Sequence, residues 1–261
     1  MVNYIKEICF IVNPNSGQKY SKQLLDEFIT SFKIDQIDYD IIITESIEML
    51  NKININKYKY FIFVGGDGTI FSFIQKFKND NIIIGTIPSG TGNALSYSLL
   101  YNKYIINEKR NIIINNKLVY LNLFNAIKNN CYKKINTIDI KFLKSKKNIT
   151  SFLFLSCGIF SNIDLDTEWL RFLGSFRFIL GAIYELLKYI IFGNNIYAEL
   201  EYVDINNNLI RIENNFAFFM ANNLSHTSST SMTSPLSKPN DGYIYLAYLT
   251  EPTTALNLLY I

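Results

Sequence analysis

The ten residues FIFVGGDGTI (61–70) decide how the rest of the chain is read. Four apolar residues of strand character run without interruption into Gly-Gly-Asp-Gly, so a buried strand ends in a tight turn. Three glycines around one carboxylate let a backbone approach an anion closely, because glycine takes positive φ and carries no Cβ. Asp67 is the residue in that turn with chemistry to offer. GxxxxGKS and GxGxxG are both missing, so the turn is neither a Walker loop nor a dinucleotide fingerprint.

Outward from this turn, strands and helices alternate through the first half. Residues 9–12, 39–43, 60–64 and 82–87 read as strands, and 21–32, 70–77 and 93–100 as helices. That order predicts a parallel α/β domain, whose loops after the strand C-terminal ends gather along one edge, where ligands bind. Three of those loops are rich in small residues: NPNSG (13–17), GGDGT (65–69) and PSGTGN (88–93). Each has a plain reading by itself, as an ordinary turn or a helix cap. Together they point to phosphate, and the third places backbone amides and the hydroxyls of Ser89 and Thr91 at a helix N-terminus suited to anions.

Past residue 132 the runs at 137–143, 151–155, 197–203, 216–220 and 243–249 read as strands, interrupted by one helical segment at 167–191. The expected architecture is therefore an α/β nucleotide-binding domain, 1–134, followed by a largely antiparallel β-sandwich with a helical insertion, 135–261.

Composition narrows the function classes. With 49% hydrophobic and 18% charged residues, the chain is a folded protein, and its net charge of +3 is too slight to argue for nucleic acid as a partner. Cys9, Cys131 and Cys157 lie far apart with no CxxC spacing, which fits a reducing compartment. His226 is the single histidine, so a His-rich metal site is excluded. The apolar stretch from Trp169 to Phe192 is broken by Arg171, Arg177, Glu185 and Lys188 and offers no membrane span.

The acidic residues Asp164, Asp166 and Glu168 read as the N-terminal flank of the long helix, where negative charge is favoured, with Asp166 as its cap. Asp164, flanked by Ile163 and Leu165, is placed to meet an ammonium group. Arg171 and Arg177 are six apart and face apart on a straight helix; a break at Gly174 lets both turn toward phosphates, which the planar guanidinium grips bidentately. Ile159, Phe160, Leu170, Leu173, Phe178 and Leu180 read equally as tunnel wall or as core.

The three loops, with IPSGTGNALSYSLL (87–100) and GIFSNIDLDTEWLRFLGSFRFILGA (158–182), resemble the diacylglycerol kinase-like lipid kinases, and within them the sphingosine kinases. The resemblance implies ATP and Mg²⁺ as cofactors, with the metal held through the ATP phosphates. It assigns ATP contacts to Asn13, Pro14, Asn15, Gly17, Thr44, Gly65, Gly66, Gly68, Thr69, Ser89, Gly90, Thr91, Gly92, Asn93, Arg171 and Arg177. It makes Asp67 the general base, and gives the lipid substrate Asp164, Ile159, Phe160, Leu173 and His226. The implied reaction moves the γ-phosphate of ATP to the primary hydroxyl of a sphingoid base. The alternatives are a kinase acting on diacylglycerol or another lipid alcohol, and an impaired chain that binds lipid or nucleotide. Cytoplasmic residence with peripheral membrane contact is expected, and a homodimer is compatible.

This chain departs from the family pattern at three places. Ser72, Gln75 and Lys76 stand where a glutamate and Asn-Gly are usual, and Asn162 replaces the first of two acidic residues. Family members continue with further β structure beyond the point matching Ile261, so the second domain is expected to be incomplete.

Overall fold

The computed structural model describes residues 6–34, 37–77, 81–104, 116–174, 176–193 and 196–251. It divides into two units: Met1–Leu153 with Asn223–Tyr243, and Phe154–Asn222 with Ile244–Ile261.

The first unit is built on a parallel sheet of β1 (Lys6–Val12), β2 (Tyr39–Ile43), β3 (Tyr58–Gly65) and β4 (Ile83–Pro88), in the order β2-β1-β3-β4. Its helices are α1 (Ser21–Phe32), α2 (Asp67–Lys76), α3 (Ala94–Tyr104) and α4 (Asn116–Lys128). Alternation along the strands sends side chains to opposite faces. Ile8, Phe10 and Val12 of β1, with Tyr60, Ile62 and Val64 of β3, meet Leu25 and Phe28 of α1 and Val119 and Tyr120 of α4. Cys9, Ile11, Phe61 and Phe63 face the other way, onto Ile70 and Phe73 of α2 and Leu95 of α3. Both faces of the sheet are thus covered, which is why its strands read as continuous apolar runs.

A hairpin of β5 (Ile138–Phe142) and β6 (Lys147–Ser151) also belongs to this unit. Gln75 on α2 grips β6 with both ends of its amide: its Nε2 donates to the Thr150 carbonyl at 2.6 Å and its Oε1 accepts the Thr150 amide at 3.1 Å. Phe152 and Leu224 complete the core on that face. Asn223 joins the returning segment, its amide donating to the Leu153 carbonyl at 2.8 Å and its side chain to the carbonyls of Asn136 and Phe152. The division of the chain consequently differs from the single boundary expected near residue 134: the hairpin and the segment 223–243 pack with the α/β sheet.

The second unit is an antiparallel sheet. β7 (Phe154–Gly158) and β10 (Tyr245–Thr250) flank β9 (Leu209–Asn222), and β8 (Ile196–Val203) pairs with the outer half of β9. It carries α5 (Ile159–Asp166), a 3-10 segment Glu168–Leu173 and α6 (Phe176–Phe192). The single helix expected over 167–191 is two elements, because Gly174 between them has φ +59°. The expected run 151–155 likewise straddles the end of β6 and the start of β7. Ile159, Tyr189 and Ala217 form a small core. Among the described residues, no helix is long and apolar enough to cross a membrane.

Candidate active site

The three glycine-bearing loops leave the C-terminal ends of β1, β3 and β4, adjacent strands of one parallel sheet, and so arrive side by side. They interlock. The Asn13 amide donates to the Val64 carbonyl at 3.0 Å, and Asn13 Nδ2 to the Thr69 hydroxyl at 3.0 Å, tying the first loop to the second. The Ser89 amide donates to the Gly65 carbonyl at 3.2 Å, tying the third loop to the second. Close approach makes two glycines obligatory: a Cβ at Gly17, where φ is +52°, falls 2.1 Å from the Ser89 carbonyl oxygen, and one at Gly90 falls 2.5 Å from the Gly66 Cα. At Gly68 a Cβ meets nothing within 4 Å, so no protein contact requires that glycine.

Each loop is also stiffened from within. Asn13 Oδ1 accepts the Asn15 amide at 3.0 Å, an Asx turn through Pro14. Asn93, held at φ 53°, accepts the Gly90 amide at 2.9 Å and donates back to the Gly90 carbonyl at 2.6 Å. Thr44 is buried, and its amide and hydroxyl both donate to the Val12 carbonyl, at 2.8 and 3.1 Å.

Asp67 stands at the first position of α2, yet its carboxylate serves α3. Oδ2 accepts the Ala94 amide at 2.8 Å and Oδ1 the Leu95 amide at 3.1 Å. These are orphan donors of the first turn of α3, and an acidic side chain is the partner they favour. The α3 N-terminus, expected from the sequence to be open to phosphate, therefore has these two amides filled by Asp67. Gly92 lies against the same carboxylate, its ideal Cβ position 3.3 Å from Oδ2. Burial pushes the Asp67 carboxyl above its ordinary value, and the Leu95 and Ala94 amides oppose that rise.

His226 comes to this cluster from the segment 223–243. Its amide donates to the Ser98 hydroxyl on α3 at 3.0 Å, and its Nδ1 lies 2.9 Å from the Ser225 hydroxyl. Burial lowers its pKa, which favours the neutral ring. Ser229 reaches the Thr91 carbonyl at 3.5 Å.

The remaining candidates belong to the second unit. Asp164 and Asp166 lie at the C-terminal end of α5, not before a helix, so Asp166 is not an N-cap; Thr167 ends α5, its hydroxyl donating to the Ile163 carbonyl at 2.6 Å. Carboxylates are disfavoured there, and a cation answers them. Arg177, buried at the start of α6, donates from one terminal nitrogen to Asp164 Oδ1 at 2.7 Å and from the other to Glu168 Oε2 at 3.2 Å. Among the described residues, its Nε is buried with no hydrogen-bond partner. Asp164 and Arg177, expected to serve two different ligands, are thus paired with each other. Glu185, only 1% exposed, accepts from Asn162 at 2.9 Å and from Lys188 at 3.0 Å. Ile159 is core, Phe160 packs edge-on against Phe218 at 4.8 Å, and Leu173 is half-buried. Arg171 falls in the 3-10 segment, its side chain outside the described residues. Leu170 and Leu180 line a cavity of about 500 Å³ together with Asp166, Trp169 and Tyr184. Among the described residues, no group of three or more His, Cys, Asp or Glu side chains could hold a metal ion.

A parallel sheet with three interlocked glycine loops around one carboxylate makes this sheet edge the candidate site, and comparison with known proteins shows what it is similar to. Residues 7–126 match the diacylglycerol kinase catalytic domain. The chain is 26% identical over 190 residues to sphingosine kinase 1 of Caenorhabditis elegans, covering 66% of this chain and 38% of that one. It is 26% identical over 206 residues to sphingoid long chain base kinase 5 of Saccharomyces cerevisiae, covering 70% and 27%. Sphingosine kinase B of Dictyostelium discoideum is 32% identical over 105 residues, 36% of this chain and 14% of that one. The chain thus spans well under half the length of these relatives. Two Bacillus anthracis str. Sterne structures, each named as a diacylglycerol kinase, share the fold with TM-scores of 0.60 and 0.53. They are 17% and 16% identical, covering 98% and 94% of this chain and 77% and 76% of theirs. The chain is thus similar to the diacylglycerol kinase catalytic domain over residues 7–126, and to sphingosine and sphingoid base kinases over about two thirds of its length.

Sequence reasoning gave no contact to Ser21, Gln75 or Glu185. For Ser21 a signal existed: a small hydroxyl residue at the first position of a helix that follows a glycine loop.

Proposed function

We propose that the chain transfers the γ-phosphate of ATP to the primary hydroxyl of a sphingoid base. The observation that carries this reading is the placement of one half-buried carboxylate, Asp67, among three interlocked glycine loops, with similarity to sphingosine kinases over two thirds of the chain. Phosphoryl transfer to an alcohol needs the phosphate charge neutralised, the hydroxyl aimed in line and a base to take its proton. The glycine loops bring backbone close to the phosphates. Bound with the nucleotide, Mg²⁺ would supply charge neutralisation at those phosphates. Asp67 takes the hydroxyl proton. Its two amide bonds hold the carboxylate in place and leave it further lone pairs, since an ionised carboxylate has about four acceptor sites.

Asp164, 64% exposed at its side chain, is open to the sphingoid amine despite its bond to Arg177. Ile159, Phe160 and Leu173 supply apolar contact for the chain of the lipid, and His226 a neutral polar edge. Arg171 and Arg177 are the arginines assigned to ATP. Peripheral membrane contact, in a cytoplasmic protein, is supported by the apolar side chains that α6 exposes, including Phe176, Ile179, Ile183, Leu187 and Ile190.

One observation favours a second reading, in which the chain binds nucleotide or lipid without turnover: Arg177 is engaged by Asp164 and Glu168. The purified chain is to be incubated with γ-labelled ATP and Mg²⁺, with sphingosine and diacylglycerol offered separately. Label in sphingosine is the expected result. Label in diacylglycerol alone reassigns the acceptor, and label in neither favours the binding-only reading.

A further inference from the structure

The hydroxyl protons around Ser21 can be counted. Ser21, fully buried at the start of α1, has its Oγ 2.7 Å from the Asn13 carbonyl oxygen and 2.9 Å from the Ser89 Oγ. A serine hydroxyl carries one proton and two lone pairs, whereas a carbonyl oxygen accepts only. At 2.7 Å the Ser21 proton must point to Asn13, since two unprotonated oxygens at that distance repel. The proton between Ser21 and Ser89 is consequently donated by Ser89. Ser89, half-buried in the third glycine loop, has therefore committed its only proton inward, and what it turns outward are lone pairs.

We infer that Ser21 is a positioning residue of the nucleotide site: it joins the first and third glycine loops and fixes Ser89 as a hydrogen-bond acceptor toward the ligand. The inference rests on the ATP reading above and sharpens it. A phosphate oxygen accepts hydrogen bonds and is an unsuitable partner for such a hydroxyl. The group on the nucleotide that faces Ser89 is a donor, of the class of a sugar hydroxyl or a water held by Mg²⁺. The inference gives the Ser89 hydroxyl a donor to recognise, where the sequence suggests an anion.

The same geometry predicts that substitution of Ser21 has two effects. Asn13 is where the relay ends, and Asn13 itself holds Asn15, Ser16 and Thr69 through its side chain and carbonyl. Loss of the Ser21 hydroxyl leaves the Asn13 carbonyl one donor short and releases the Ser89 proton to point outward. The first effect loosens the loop, and the second presents the wrong polarity to the nucleotide.

The test is a double-mutant cycle on the full chain, reading MgATP affinity by isothermal titration, with the KM for MgATP and for sphingosine measured in parallel. Ser21→Ala and Ser89→Ala are each expected to weaken MgATP by roughly tenfold, with the KM for sphingosine unchanged. The double variant is expected to be no weaker than the worse single one, because the two hydroxyls act as one unit. A purely structural serine would instead lower thermal stability and leave MgATP affinity intact in the variant that still folds. Should Ser21→Ala fail to fold, Ser89→Ala, at a half-buried position, carries the measurement alone. Wild-type chain that binds no MgATP overturns the nucleotide reading and this inference with it. Wild-type binding that persists undiminished in Ser89→Ala overturns the inference and leaves the nucleotide reading standing.

Discussion

Arg177 and Asp164 face each other at 2.7 Å, with the guanidinium buried and the carboxylate largely in solvent. The asymmetry in burial makes the two halves of the pair unequal. Removing the Asp164 carboxylate leaves the buried cation with Glu168 as its remaining carboxylate among the described residues, beside the Asp164 carbonyl at 3.4 Å, whereas removing Arg177 returns two exposed carboxylates to water. Asp164→Asn is expected to lower unfolding free energy by roughly 1–2 kcal/mol, below the figure for a fully buried pair because Asp164 is so exposed. Arg177→Met, similar in volume and free of the unpartnered Nε, is expected to cost less than about 1 kcal/mol. Urea denaturation of both variants gives the answer, and equal losses would mean that the pair is not the asymmetric contact described.

Asp67 links catalysis and stability through one proton, with opposite signs. Its folded pKa lies above the unfolded value, so the folded chain binds the extra proton and the stability this group contributes falls as pH rises through the folded pKa. Proton abstraction needs the ionised form, so turnover falls as pH drops through the same value. Relative to Asp67→Asn, the wild-type chain is expected to be most stable at acid pH and to lose that margin toward neutrality. A margin that stays constant between about pH 4 and 8 would contradict the raised pKa. The variant should also lose about 10²- to 10⁴-fold in turnover while MgATP binding persists.

The glycines of the site separate into those the protein needs and one it does not. Gly90→Ala drives a Cβ to 2.5 Å from the Gly66 Cα, so the second and third loops must move apart. The expected outcome is lowered stability together with loss of MgATP affinity. Gly68→Ala meets nothing in the protein, and is expected to melt within about 2 °C of wild type while binding MgATP more weakly. Differential scanning fluorimetry with and without MgATP distinguishes the two; unchanged affinity in Gly68→Ala would show that no ligand approaches there.

Gln75 offers a local test of how the hairpin is held. Gln75→Ala deletes both bonds to Thr150 and is expected to cost about 1–2 kcal/mol. Amide exchange should quicken across β5 and β6 before the parallel sheet is affected. Protection unchanged in β6 would show that Phe152, through its burial in the core, is the anchor.

The elements that could be read from sequence are those whose pattern is settled locally. α1 and β2 have the bounds that their apolar spacing indicates, and the three loops announce themselves through glycine. α4 carries an equally regular pattern at Val119, Tyr120, Leu123, Phe124 and Ile127, and went unread beside an Asn-rich stretch. The run Ser151 to Leu155 is continuous in sequence yet changes sheet between Ser151 and Phe154, a choice made by core packing around Phe152. Side-chain pairing was the least legible. Nothing in the spacing of Asp67 and Ala94, or of Gln75 and Thr150, announces a contact made only once strands β3, β4 and β6 are in place.

The grip of Asp67 on α3 also gives the chain a built-in spectroscopic indicator. A proton arriving on the carboxylate weakens its hold on the amides of Ala94 and Leu95, and those two nitrogens lie in the backbone of a helix, far easier to observe than a side-chain oxygen. Their amide resonances should titrate together and follow the protonation of Asp67 residue by residue, without substrate, label or turnover. The charge state of the carboxylate at the loops is then legible in an ordinary nitrogen correlation spectrum.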